Sequence, residues 1–266
     1  MKRFTAVAAA FLLVGNSYAS IVVVNGLSHE HKLANGVTVQ GSIVIRNTGD
    51  IEKRAKVYKT DVQHNCKGET AFLEATDRDR CSSKWMAISD NEILMQPGQT
   101  LTITYGLTPP SEIESTGSYW GVIMVEEMDD LDTTLPEVGV KVNALVRYAI
   151  QIIGNFPAGA VKQLDFVSID LDTLEGRNQI RIAVLNPGNF MMKPIMVLDL
   201  IDAQGNQVAR KELPYQKVYP GFCKLFDLPL QGIPSGEYSG ILVADCGDED
   251  MFGMKIDITI NNHEKQ

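Results

Sequence analysis

The sequence predicts an all-β protein built as two tandem β-sandwiches. Three observations predict it: many short alternating apolar segments, a threefold set of cues that occurs twice in the same order, and no helical period beyond the N-terminal stretch. The alternating segments of the first half are VTVQGSIVIRN, AKVYKTDV, LTITYGL, YWGVIMVEE and VNALVRYAIQII. Those of the second half are NQIRIAVLN, PIMVLDLID, CKLFDLP, SGILVAD and MKIDITI. Alternation puts one side-chain set on a buried face and the other on a solvated one, and turn residues between such segments are the pattern of a sandwich.

The repeat divides the chain. GSIVIRNTGD around Asn47 matches IRIAVLNPGN around Asn186, each a strand ending in an Asn-x-Gly turn signal. QPGQTLTITYGL from Gln96 matches YPGFCKLFDLPL from Tyr219, each a Pro-Gly followed by a strand. STGSYWGVIMV from Ser115 matches PSGEYSGILVA from Pro234, each containing Gly-x-Tyr-x-Gly before an apolar strand. A fixed order of cues marks a tandem of one fold. The domains are expected at 20–154 and 155–266, with Gly154-Asn155-Phe156-Pro157-Ala158-Gly159 at the break. The interval from Asn47 to Pro97 exceeds that from Asn186 to Pro220, so the first domain carries an insertion, placed near 64–90 where strand alternation is weak. Tyr119 and Tyr238 fit the penultimate strand of an immunoglobulin-like sandwich. There a hydroxyl reaches upstream backbone as a tyrosine corner, or the ring serves in ordinary cross-strand packing.

The N-terminus reads as a signal peptide over 1–19. Lys2 and Arg3 precede the apolar Ala6 to Val14, and Ser17-Tyr18-Ala19 fits a small-x-small cleavage site. The apolar run is too short to span a bilayer, and no later stretch is long enough, so the expected location is periplasmic or secreted. Loss of Lys2 and Arg3 from a chain of net charge −9 leaves −11. Such a surface excludes the cationic binding modes used on nucleic acids and anionic membranes.

All four cysteines follow the signal segment. In an oxidising compartment an even number favours disulfides, and three pairings are open to four cysteines. With two in each half, the expectation is one bridge per domain, Cys66–Cys81 and Cys223–Cys246. The spacing does not resemble a zinc site, which would use C-x-x-C pairs.

Catalytic groups are sparse. The histidines are His29, His31, His64 and His263. On a strand His29 and His31 share one face and could hold a metal, but no third ligand is visible, and a solvated turn is the simpler reading. Glu126-Glu127-Met128-Asp129-Asp130-Leu131-Asp132 is rich in oxygen ligands yet lacks the spacing of an EF-hand loop. It reads as a solvated hairpin tip, as does Gly247-Asp248-Glu249-Asp250, and such charges discourage edge-to-edge pairing. No Gly-x-Ser-x-Gly elbow, His-Glu-x-x-His helix or phosphate-binding glycine loop occurs. Neither a cofactor nor a metal is expected, and the chain reads as a binding protein rather than an enzyme.

Taken together, IVIRNTG, QPGQTLTITYGL, GSYWGVIMV and the long VNALVRYAIQII strand resemble the two-domain immunoglobulin-like pilus chaperones of the periplasm over most of residues 20–260. The WxL-interacting surface proteins have a similar motif order but normally carry a C-terminal anchor, which this sequence lacks. The pilus-chaperone resemblance implies a protein partner, such as a pilus or surface subunit, held along a strand edge. It also implies a basic pair in the interdomain cleft that anchors a partner's carboxylate. Arg147 is the candidate for one member; IVVVNGLSHEHK offers no basic residue before Lys32 for the other. Ala144, Val146, Tyr148 and Ile150 alternate along the same strand, and either line pockets for a partner or face the core. Within the insertion, Phe72, Trp85 and Met86 either contact the partner or cap the core. The expected function is thus a non-enzymatic chaperone-like protein that binds an extended partner through a strand edge. A structural or adhesive envelope module is the alternative.

Overall fold

The computed structural model describes residues 20–261 apart from 68, 76–78, 114–115, 129–145 and 175–176. The signal segment, Asp129 to Asp132, Ala144 and His263 lie outside the described residues.

Two sandwiches follow one another along the chain, as the repeat predicts. In the first, one sheet orders β1 (Ile21–Val23), β3 (Val39–Asn47), β8 (Thr100–Leu107) and β6 (Met86–Ile88). The facing sheet orders β2 (Ser28–Lys32), β10 (Arg147–Phe156), β9 (Gly117–Met128), β4 (Lys53–His64) and β5 (Thr70–Glu74), with β7 (Glu92–Met95) also paired to β4. In the second sandwich, β11 (Asp165–Leu174), β12 (Arg177–Leu185) and β15 (Cys223–Pro229) form one sheet. The other orders β14 (Gln207–Leu213), β13 (Ile195–Ile201), β16 (Gly236–Asp245) and β17 (Met251–Ile260). Among the described residues every ladder is antiparallel except that of β2 with β10. Among the described residues the helical content is a single 3-10 turn at Ser83–Trp85. Gly154 and Asn155 belong to β10 rather than to a break. Gly154 lacks a side chain because Leu33 packs where its Cβ would stand.

Each sandwich closes over its own apolar core. Ile43, Ile45, Ile103, Leu107, Ile123, Ile150 and Ile152 fill the first, and Ile180, Ile182, Leu198, Phe226, Leu228 and Leu242 fill the second. A buried large aliphatic side chain contributes about 1.5–3 kcal/mol, so these alternating sets fix strand register as well as stability.

The repeated cues prove to be one device used twice. Asn47 is fully buried; its Nδ2 donates to the carbonyls of Ile51 (2.8 Å) and Met95 (3.2 Å), while Oδ1 accepts from Gly49 N (2.9 Å). Asn186, also fully buried, donates to Phe190 O and Val218 O (2.8 Å each) and accepts from Gly188 N at 3.0 Å. The glycine of each Pro-Gly turn closes the arrangement: Gly98 N donates to Asn47 O (2.9 Å), and Gly221 N to Asn186 O (2.8 Å). Asn-x-Gly and Pro-Gly therefore recur together because one buried amide stitches the two turns into a sandwich end.

Tyr238 Oη donates to Pro234 O at 3.0 Å, a tyrosine corner. Tyr119 packs between Trp85 (ring centroids 4.7 Å apart) and Phe156 (5.9 Å), with the Arg80 guanidinium over its face.

The expected cysteine pairing is corrected. Cys66 is bonded to Cys223 across the two domains, and neither Cys81 nor Cys246 is in a disulfide. The reason is the path of β4, which runs to the domain junction. There His64 stacks on Tyr219 of the second domain at 5.8 Å, placing the following turn beside the start of β15. Cys81 instead lies in a backbone bridge to Trp120.

Candidate functional site: the face and edge of β10

Strand β9 is buried from Gly117 to Val125 without alternation, which requires cover on both faces. One face supplies the core with Tyr119, Ile123 and Val125. The other carries Trp120, Val122 and Met124, which join Val62, Ile153, Met191 and Tyr219 in a separate cluster between the domains. Trp120 is its centre, with ring centroids 4.7 Å from Tyr219 and 5.7 Å from Phe222, and with Nε1 donating to Val62 O at 3.2 Å.

Polar groups fix the junction around that aromatic contact. Gln151 Oε1 accepts from Lys217 Nζ and Tyr219 Oη at 2.8 Å each, and Lys217 also donates to Ser28 Oγ. Burial, reinforced by the neighbouring Lys193 and opposed by Glu30, holds the Lys217 ammonium below the usual lysine range. Lys193 pairs with Glu30 at 2.6 Å. At the other end of the seam Ser118 Oγ donates to Asn155 Oδ1 (2.6 Å) and accepts from Met191 N (2.8 Å), and Ser118 N donates to Asn189 O (2.8 Å). The polar atoms named in this seam are mutually satisfied, so it positions the domains rather than presenting reactive groups.

The outer face of the sheet runs away from this junction in register rows. Thr60, Val122 and Gln151 stand side by side, then Tyr58, Met124 and Ala149, then Lys56, Glu126 and Arg147. Arg147 is 52% exposed and bonds Glu126 Oε2 through Nε at 3.2 Å; the same oxygen accepts from Tyr58 Oη at 2.7 Å. Arg147 thus sits about 13 Å along the strand from Gln151, at the pleat spacing, and the cations at the junction itself include Lys217, Lys193 and Arg80, whose Nη1 donates to Asn189 O at 3.4 Å.

Tyr148 and Ile150, proposed as partner pockets, face inward, Ile150 fully buried and Tyr148 packed against the same core. Val146 is half-buried and its carbonyl accepts from Glu127 N at 3.3 Å. Trp85 and Met86 cap the first core, whereas Phe72, on the outer strand β5, remains 48% exposed.

The backbone of β10 has an open edge. Strand β2 pairs with Gln151–Asn155 alone, leaving Arg147 to Ile150 bonded on the β9 side only among the described residues. Gln151 N donates to Leu27 O on the β2 side, and Val146 O faces β9. Backbone groups alternate along a strand, so the amides and carbonyls of Arg147 and Ala149 point out of the sheet edge.

His29 and His31 do share a face of β2. Their ring nitrogens meet one hydroxyl, Tyr105 Oη, at 2.9 Å and 2.8 Å. Burial, with a smaller contribution from His29, pulls His31 below the usual imidazole value, and burial pushes Tyr105 up to about 12. Gly41 makes room for the Tyr105 ring, which lies where its Cβ would stand. Among the described residues no group of three His, Cys, Asp or Glu side chains gathers.

The sequence reading missed Trp120, Gln151, Lys217 and Tyr219. The repeat held a signal for the first. In GSYWG against GEYSG, Trp120 stands where the second domain has Ser239, so a large aromatic on an outward position announces a covered face.

No family model matches the chain, and no curated protein matches it. Solved structures do. A chain of a chaperone–tip adhesin complex of CFA/I fimbriae biogenesis is 13% identical, with TM-score 0.48, over 90% of this chain and 98% of that one. A chain of the CsuC–CsuE chaperone–tip adhesion subunit complex of Acinetobacter baumannii is 11% identical, with TM-score 0.47, over 89% and 98%. A chain of the Salmonella enterica SafA pilin–SafB chaperone complex is 10% identical, with TM-score 0.47, over 92% and 99%. The chain is thus similar to chains of fimbrial chaperone complexes.

Proposed function

We propose that this protein is an exported, non-catalytic, chaperone-like protein that receives an extended segment of a protein partner along the open edge of β10. The carrying observation is the half-covered strand: β2 occupies one end of the edge, and the backbone groups of Arg147 and Ala149 remain directed outward. A strand entering there continues the line of β2 and supplies the missing ladder, with backbone bonds giving affinity and the adjoining half-buried Tyr58 and Ala149 giving selectivity. Arg147, exposed and held by one carboxylate, is placed to exchange Glu126 for a carboxylate or carbonyl of the partner. Export to the periplasm or beyond rests on the Lys2-Arg3, Ala6 to Val14 and Ser17 to Ala19 pattern. A pilus or surface subunit is the partner class that the family resemblance suggests.

The test uses backbone chemistry. In Ala149→Pro the edge loses an outward amide while the β9 ladder is kept, a position where proline is tolerated. The expected result is a folded protein that no longer captures its partner from a native periplasmic extract. Ile150→Pro, whose amide faces β9, serves as the control and disrupts the domain. Undiminished capture by folded Ala149→Pro removes the proposal and favours the adhesive reading, with exposed Phe72 on β5 as its first contact.

A further inference from the structure

The second sandwich is closed on one side and open on the other. Strands β14 and β15 approach each other on the closed side. On the opposite side β11 and β17 are each the last strand of their sheet, and among the described residues no ladder joins them. Between them lies a groove of about 500 Å³, walled by Phe166, Ile169 and Leu171 on β11 and by Met254, Ile256 and Ile258 on β17. Leu171 is 45% exposed and the adjacent Val167 55%. Exposed apolar groups on a strand that also offers an unpaired backbone edge form an acceptor for another strand.

Charge says what that strand carries. On the outer face of the same sheet Arg181 bonds Asp172 at 3.1 Å and Asp227 at 3.0 Å, and Asp170, its register partner, stands exposed beside it. Three carboxylates around one guanidinium leave two negative charges next to the free edge. A strand added to β11 alternates its side chains: one set enters the groove against β17, and the other stands beside Asp170 and Asp172, where opposite charges are favoured across a pair.

We infer that the β11 edge is a second docking site, in addition to the β10 edge, for an extended polypeptide in which apolar residues alternate with lysine or arginine. The strand forms hydrogen bonds to β11, buries its apolar side chains over Leu171 and Met254, and sets its basic residues against Asp170 and Asp172. A lipid or a small apolar molecule could fill the groove but would leave the backbone edge unsatisfied, which is why a polypeptide fits it best. The inference does not depend on the β10 reading, since the two edges belong to different domains.

The probe is a fluorescein-labelled peptide of alternating lysine and valine, about nine residues long, enough to cover most of β11 at the strand rise. The full chain should bind it, with slowed amide exchange confined to β11, and Leu171→Lys and Asp170→Lys should each weaken binding tenfold or more while the melting temperature holds. The same peptide N-methylated on alternate amides should also lose binding. Ala149→Pro should bind the peptide as the parent does. Absence of binding, equal binding to the Leu171→Lys and Asp170→Lys proteins, protection on β10 instead of β11, or equal binding of a peptide with the same residues in two blocks would each overturn the inference. So would a dimer in sedimentation velocity that Leu171→Lys converts to monomer, because a second copy would then be the occupant.

Discussion

Cys66 and Cys223, 157 positions apart in the sequence, are joined by a disulfide that ties the turn after β4 in the first domain to the first residue of β15 in the second. In the chain-entropy view a loop of that length restricts the unfolded state by about 5 kcal/mol, and the bond also couples the folding of two sandwiches that could otherwise open independently. The expected outcome is a single cooperative thermal transition in oxidised protein. Cys66→Ser/Cys223→Ser should melt at lower temperature and in two separable steps, with dithiothreitol reproducing the effect in the parent only. Non-reducing peptide mapping that recovers Cys66–Cys81 or Cys223–Cys246 contradicts the assignment.

Asn186 contributes through three hydrogen bonds formed inside the second domain's end. Asn186→Ala leaves the carbonyl of Phe190 and the amide of Gly188 without their present partner, while the carbonyl of Val218 keeps only its bond from Met192 N. Each buried group so orphaned costs about 1–3 kcal/mol. Urea unfolding should therefore move to a clearly lower midpoint at unchanged slope, and Asn47→Ala should behave alike in the first domain. Asn186→Asp keeps the acceptor for Gly188 but sets a carboxylate against two carbonyls, so it should be worse than alanine. Wild-type midpoints for these variants would show that the amide is incidental.

That device also marks how far the sequence could be read. Strands β3, β4, β8, β12, β13, β15, β16 and β17 were legible because their apolar alternation is dictated by burial on one face, and β9 because its apolar run is covered on both. Strands β11 and β14 were not: DFVSIDLDTL and QVARKEL carry charges through the period, which hides the apolar alternation. The insertion was located but read as largely irregular. It instead contributes β5, the 3-10 turn and β6, whose pairing depends on partners distant in the chain. Arg147 and Phe72 were singled out and do prove exposed. The junction residues Gln151, Lys217 and Tyr219 were invisible because each takes its meaning from the other domain. Cysteine pairing failed for the same reason. Dividing four cysteines by domain assumes that no two from different domains meet, and the path of β4 brings Cys66 to Cys223.

His64 gives the junction a pH dependence. Burial first, and the Lys224 charge second, lower its pKa from 6.5 to about 4. The folded state thus holds the ring neutral while the unfolded state binds a proton below about 6.5. Its contribution is fully present above that value and is lost as pH falls from about 6.5 to about 4. Carboxylates such as Glu127 titrate nearby: burial raises it, but bonds from Lys53 and Ser20 outweigh that and keep it low. The informative quantity is therefore a difference. Unfolding free energy measured from pH 7 to pH 4 should fall less steeply in His64→Gln than in the parent, with the gap opening below about pH 6.5. Parallel curves would mean that the ring is protonated equally in both states.

Gly117 opens β9 at a place where the two domains touch, and it has no freedom to be anything else. Its φ is +102°, a conformation costing an L side chain about 1–3 kcal/mol, and a Cβ there would overlap the carbonyl oxygen of Asn189. That oxygen accepts from Ser118 N at 2.8 Å, and Ser118 in turn receives Met191 N, so displacing Asn189 breaks the polar end of the seam as well as straining the strand. Gly236 is the matching glycine of the second repeat, yet it lacks the positive φ, and its Cβ would meet only the outer atoms of the Tyr238 ring at 3.2–3.4 Å. The two glycines look interchangeable in the sequence and differ only because one faces a neighbouring domain. Gly117→Ala should lower the melting temperature markedly and speed amide exchange across Ser118 and Met191, while the Cys66–Cys223 bond keeps the domains linked. Gly236→Ala should cost much less and leave the junction's exchange unchanged. Equal losses in the two variants would place the cost in the strand turn itself and not in the domain contact.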